Sequence, residues 1–155
     1  MHQAIEQYQR VIALTDNAAH PSPWVRSTTF ARMGSAYRAL GDWSQAKESF
    51  RRALEINPKD GSSWIALGIV NQLSGDLPGA VQAYSRGVQI QPSDVGYLLL
   101  ARALEENGNH SGAETARRQA QAISSNLSRA EASVDVVFAH PTGAADSAHA
   151  RNGPR

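Results

Sequence analysis

The chain is predicted to be all-α, a right-handed superhelix (α-solenoid) of stacked helix-turn-helix units, and three observations predict it. The first is self-similarity at a spacing of 34 residues: Phe30 falls on Trp64, Met33 on Leu67, Gly34 on Gly68, Gly41 on Gly75, Asp42 on Asp76, Ala46 on Ala80, Phe50 on Tyr84 and Pro58 on Pro92. A period of this length marks a small element that buries its apolar face only by stacking on the next one. The second is phase, since the apolar positions inside each unit recur at helical spacings. The third is punctuation, a Gly-Asp pair in the middle of each unit and a proline at its end.

Composition fits that architecture and narrows the function. The chain has 155 residues, room for three helix pairs and a tail, with 15 basic and 14 acidic side chains and a formal charge of +1. So even a balance creates no field to steer nucleic acid or an anionic membrane, and neither is an expected partner. There is no cysteine, which removes disulfides and thiolate metal sites. The polar first ten residues do not read as a signal peptide, and the longest apolar cluster, Tyr97 to Ala101, is far too short to span a bilayer. A cytoplasmic location is the default expectation, or the soluble part of a membrane-anchored protein.

In chain order, residues 1–15 come first. Ala4, Tyr8, Val11 and Ile12 have the spacing of a second helix with no first helix before it. Excision from a longer array is the favoured explanation; pairing of this orphan helix with another copy is the other, so a monomer is expected and self-association through residues 1–15 is the alternative. Residues 16–26, with His20-Pro21-Ser22-Pro23, read as a connector. Unit one occupies 27–60: Phe30, Met33, Gly34 and Tyr37 lie on one face of its first helix, Gly41 ends that helix, Asp42 caps the second with Gln45 three residues on, and Pro58 stops it. Ala46, Phe50, Ala53 and Leu54 form the second helix's apolar stripe. Unit two, 61–93, repeats this grammar with Trp64, Leu67, Gly68, Gly75, Asp76, Ala80, Tyr84, Gly87 and Pro92.

These positions resemble the tetratricopeptide repeat, a 34-residue helix-turn-helix family. Its aromatic, Leu-Gly and Tyr of the first helix are matched by Phe30, Met33, Gly34 and Tyr37, and by Trp64, Leu67 and Gly68 with Asn71 in place of the Tyr. The small, aromatic and small positions of its second helix are Ala46, Phe50 and Ala53, then Ala80, Tyr84 and Gly87. A small residue where two helices cross lets their axes approach to roughly 8 Å, and the aromatic fills the space beside it. Tyr97, Leu100, Ala101, Leu104, Gly108 and Ala113 follow unit two at 33 residues, which makes 94–125 a third, degraded repeat with Arg117 at the aromatic position. Residues 126–138 are expected to form a capping helix that includes Leu127 and Ala130, and 139–155 a disordered tail.

The resemblance implies a protein-protein interaction module, a scaffold or adaptor that holds a peptide or helix of a partner protein of unknown identity in a groove lined by the first helices. One position on from the core stripe stand Ala31, Ser35 and Arg38, then Ile65, Ile69 and Gln72, then Leu98, Arg102 and Glu105. These nine residues are the candidate peptide-binding groove, with Ile65 and Ile69 as the expected contacts; the competing reading packs both isoleucines against neighbouring first helices. Family members that clamp a chaperone's C-terminal carboxylate use Lys and Asn in the groove, where this chain has Ala31, Ser35, Ala66, Val95 and Leu99. That ligand class is not expected. No metal, cofactor or catalytic site is expected either: His2, His20, His110, His140 and His149 share no helix face, and no nucleophile stands beside a base. The alternative function is a non-catalytic regulatory or substrate-presenting segment of a larger enzyme, such as a membrane-bound glycosyltransferase.

Overall fold

The computed structural model describes residues 1–17 and 22–139, and these fold into eight helices. They are α1 (His2–Asp16), α2 (Pro23–Ala39), α3 (Trp43–Ile56), α4 (Gly61–Leu73), α5 (Leu77–Ile90), α6 (Asp94–Glu106), α7 (His110–Ile123) and α8 (Leu127–Ala139). The pairs α2/α3, α4/α5 and α6/α7 are antiparallel hairpins, and each of α2, α4 and α6 also packs on the second helix before it, so first and second helices form two layers of an α-solenoid. His20, Pro21, His140, His149 and the expected tail beyond Ala139 lie outside the described residues.

The hairpin turns are one motif used three times. Gly41, Gly75 and Gly108 adopt φ of 75°, 84° and 80°, the left-handed region that glycine enters without a Cβ penalty. At each, the glycine N–H returns to the carbonyl of Arg38, Gln72 or Glu105, and the following N–H returns to Tyr37, Asn71 or Leu104 at 2.8–3.0 Å. This pair of bonds is the Schellman closure, which satisfies carbonyls a helix end would leave open. The residue after each glycine then caps the next helix: Asp42, Asp76 and Asn109 accept from the N–H of Gln45, Gly79 and Gly112. The Gly-Asp punctuation is therefore a stop and a start in two residues.

Helix crossings depend on glycine facing a ring. Gly34 lies on Phe50 and Gly68 on Tyr84, so close that a Cβ at Gly68 would stand 2.5 Å from the ring. Phe50 and Tyr84 are among the most deeply buried side chains, at 1% and 0% exposure. In the third pair Ala101 faces Arg117, whose side chain turns outward to Glu105. Helix α7 itself brings no Phe, Tyr or Trp to that crossing.

One boundary differs from the sequence reading. Helix α2 begins at Pro23 instead of residue 27, because the Ser22 hydroxyl accepts from Val25 N–H and proline suits the first turn. Thus part of the expected connector is helix. Helix α1 packs on α2, and Arg26 Nε stands 3.0 Å from Asp16 Oδ1, an ion pair off the hydrogen-bonding line, so that Nε has no hydrogen-bond partner among the described residues. At the other end, α8 lies against α6 and scarcely touches α7.

Candidate functional site

The nine groove positions all fall on α2, α4 and α6, yet they do not share one surface. The structure divides them into an open cleft, a closed middle and a second cleft under α8.

Between α2 and α4 lies a cleft of about 210 Å³, lined among others by Thr28, Ala31, Arg32, Ser35, Ser62 and Ala66. It exists because small side chains stand where the two first helices face each other. Ser35 is exposed and its hydroxyl donates to the carbonyl of Ala31 at 3.1 Å. Arg32, at the rim, makes no ion pair among the described residues. Arg38, further along α2, is half-buried and its Nε has no hydrogen-bond partner among the described residues.

The middle is closed. Ile69 is 9% exposed and belongs to the core cluster that contains Tyr84, Leu99 and Leu100. Ile65 is half-buried, its Cδ1 only 2.6 Å from where a Gly87 Cβ would stand and 3.5 Å from one at Gly96, so it plugs the junction of α4, α5 and α6. Gln72 is engaged at both ends of its amide: its Oε1 accepts from the Tyr84 hydroxyl at 3.0 Å and its Nε2 donates to Glu106 Oε2 at 2.8 Å. Burial, with the nearby Glu106 charge, pushes the Tyr84 phenol far above its ordinary value, so it stays a donor. The sequence pattern could not separate these three from groove residues, since a position facing the next first helix and one facing a ligand lie a fraction of a turn apart.

Leu98, Arg102 and Glu105 line a cleft of about 390 Å³ between α6, α7 and α8, with Arg117, Leu127 and Val134 on its other walls. Both charged groups are already engaged. Arg102 pairs with Glu106 at 3.1 Å and Asp135 at 3.8 Å, and its guanidinium lies 4.2 Å from the centre of the Phe138 ring. Glu105 takes hydrogen bonds from His110 and Arg117, which hold its carboxyl below the usual carboxylate range, the His110 bond being the larger cause. This exposed Glu-His-Arg cluster ties α6 to α7 and faces no nucleophile. Among the described residues no group of three or more His, Asp or Glu could hold a metal ion, and no helix is long and apolar enough to cross a membrane.

Known proteins resemble this chain in sequence and in fold. Residues 32–95 match the tetratricopeptide repeat model. The chain is similar to small glutamine-rich tetratricopeptide repeat-containing protein 2 of Mycosarcoma maydis, 33% identical over 91 residues, which cover 59% of this chain and 24% of that protein. It is equally similar to the peroxisomal targeting signal receptor of Eremothecium gossypii, 33% identical over 91 residues that cover 59% of this chain and 15% of the receptor. The chain thus spans a quarter or less of these two relatives. In fold it resembles the Yersinia enterocolitica type III secretion chaperone SycD, solved with a peptide of the translocator YopD, at a TM-score of 0.62 and 18% identity over 72% of this chain and 92% of that one.

Proposed function

This chain carries tetratricopeptide repeats, and on that premise we propose that it is a protein-interaction module that holds a short segment of a partner protein on its layer of first helices. The observation that carries the proposal is the cleft between α2 and α4, where Ala31, Ser35 and Ala66 leave space that no side chain among the described residues fills. An apolar or small side chain of an extended segment fits between these walls, while Arg32 at the rim offers hydrogen bonds to its backbone carbonyls or to an acidic neighbour, and the Ser35 and Ser62 hydroxyls, which already donate within the chain, can accept from its backbone N–H groups. Gln72 and Ile69, being buried, cannot extend the contact toward α6. A bound segment therefore touches two first helices, not three. The receptor and chaperone likenesses support a scaffold or adaptor role of this kind. We assign no reaction to these residues.

The test compares capture of partners from the source lysate by the wild-type chain and by the double variant Ala31→Glu, Ala66→Glu, with circular dichroism verifying that the variant is folded. Both positions are half-buried at the cleft, so a carboxylate there obstructs it without entering the core. A partner held by wild type and lost by the variant supports the proposal. Identical capture by both chains overturns it.

A further inference from the structure

Helix α8 departs from the stacking that the other helices follow. Helices α4 and α6 each pack on the second helix before them, so a helix that extended the array would lie on α7; α8 scarcely touches α7 and lies across on α6. The array therefore ends at α7, whose surface suits an end. Ala113, Ala116 and Ala120 of α7 are buried, while Glu114, Thr115, Arg118 and Gln119 stand in solvent.

On α6, α8 sits as a helix in a groove. Ala130, Val134, Val137 and Phe138 recur at i, i+4, i+7 and i+8 and form its apolar face: the first two are buried, and Val137 and Phe138 pack against the core cluster that contains Leu99, Leu100 and Ala101. Leu98, Arg102 and Glu105, three of the nine groove positions, line this contact. The chain's own helix thus occupies a surface on which the repeat pattern predicts a partner. Its seat is shallow. A cleft of about 390 Å³ stays open between α6, α7 and α8, and the Asp135 side chain that pairs with Arg102 at 3.8 Å is itself 79% exposed, a kind of pair that contributes little. Among the described residues the side-chain hydrogen bonds at α8 are local, from Arg129 N–H to Asn126 and from the Ser133 hydroxyl to the Arg129 carbonyl. A 13-residue helix held by so little opens more readily than the hairpins built around Phe50 and Tyr84.

We propose that α6 is a second docking site, for an amphipathic helix of a partner protein whose apolar side chains recur at i, i+4, i+7 and i+8, and that α8 is its built-in competitor. The partner helix takes the place of α8, and its apparent affinity is lowered by the small fraction of molecules in which α8 is unseated. Anything that releases α8 raises that affinity. Buried Ile69 and Gln72 separate this seat from the α2–α4 cleft, so either site can fail without the other.

The test uses a fluorescent, end-blocked peptide of residues 126–139, which supplies that chemistry from outside, and the full-length chain as wild type and as Val134→Glu, whose carboxylate unseats α8. Saturable binding to Val134→Glu that is about tenfold or more weaker to wild type, and that Leu98→Glu removes in the Val134→Glu background, supports the proposal. Should Leu98→Glu fail to fold, the peptide bearing Val134→Glu replaces it as the control and must not bind. Absence of binding to Val134→Glu overturns the proposal, as do equal affinities for the two chains or binding that survives the control. A Val134→Glu chain that circular dichroism finds unfolded overturns it too, because α8 is then part of the core. Amide exchange of wild type at neutral pH gives an independent reading: α8 protected about tenfold or more less than α6 supports the proposal, and equal protection, which means that the two open together, overturns it. Dimers of wild type that Val134→Glu returns to monomers also overturn it, by making a second copy the occupant.

Discussion

Gly68 shows how much a single missing Cβ decides. A methyl group there would meet the Tyr84 ring at 2.5 Å, whereas at Gly34 it would meet Phe50 at 3.0 Å. Glycine within a helix costs roughly 0.5–1 kcal/mol relative to alanine, and overpacking a filled core costs about 1–3 kcal/mol. At Gly68 the clash wins, because Tyr84 is fully buried and its hydroxyl is fixed on Gln72. Urea denaturation should therefore find Gly68→Ala destabilised by about 1–2 kcal/mol and Gly34→Ala within about 1 kcal/mol of wild type. Equal effects would contradict this ordering. Tyr84→Phe should cost about 1–2 kcal/mol in the same assay, since it leaves the buried Gln72 Oε1 without its donor. The ring-on-glycine pairs were legible in the sequence because both partners are marked residue types at a fixed spacing. Gln72 was not: nothing in one sequence distinguishes a glutamine tied between three helices from one waiting for a ligand.

Among the elements, the third pair differs from the first two in what fastens it. Where Phe50 and Tyr84 fill the first two crossings, α6 and α7 are fastened by surface polar bonds, Glu105 to His110 and Arg117, and Asp94 to Ser124 at 2.7 Å. The Asp94 carboxyl is held below its ordinary value, chiefly by the Ser124 bond and then by the Val95 N–H, and Glu105 is shifted the same way. A depressed carboxyl contributes stability that is complete above its unfolded-state value and is lost as pH falls through the lower, folded-state value. Amide exchange should consequently show α6 and α7 losing protection before α4 and α5 as pH drops from about 5 to about 2. Asp94→Asn together with Glu105→Gln should remove that difference; simultaneous loss in wild type would contradict it. The degraded third unit was readable from Arg117 at an aromatic position, but the bonds that compensate for it were not. They join residues 5 to 30 apart whose types are common on any helix surface.

On the scale of the whole molecule, the period of 34 and its punctuation made the solenoid legible, and the eight described helices fall close to the residues that pattern marks. The groove was less legible. A row of first-helix positions reads as one continuous stripe, yet Ile65, Ile69 and Gln72 close its middle and α8 covers part of its far end through Arg102, Asp135 and Phe138. Stacking between units decides which positions stay open, and stacking depends on side-chain sizes across three helices at once. At the N-terminal end, Leu14 and Trp24 are each 72% exposed, while Ile5 is the one α1 residue that is buried. Scattered exposed apolar residues of this number form no contiguous patch of the kind that drives association, so the expected outcome of light scattering is the mass of a 16.7 kDa monomer. A dimer mass that Leu14→Glu returns to the monomer would instead identify α1 as a self-association helix.

The proposed role rests on where a partner touches the chain, and photo-crosslinking reads that directly. A benzophenone amino acid placed at Ser35, in the cleft between α2 and α4, is compared in source lysate with the same group at Gln119, exposed on α7. Binding in the cleft predicts a discrete protein adduct from position 35 that is absent from position 119 and is suppressed by Ala66→Glu. No adduct from position 35, or the same adduct from both positions, would contradict it.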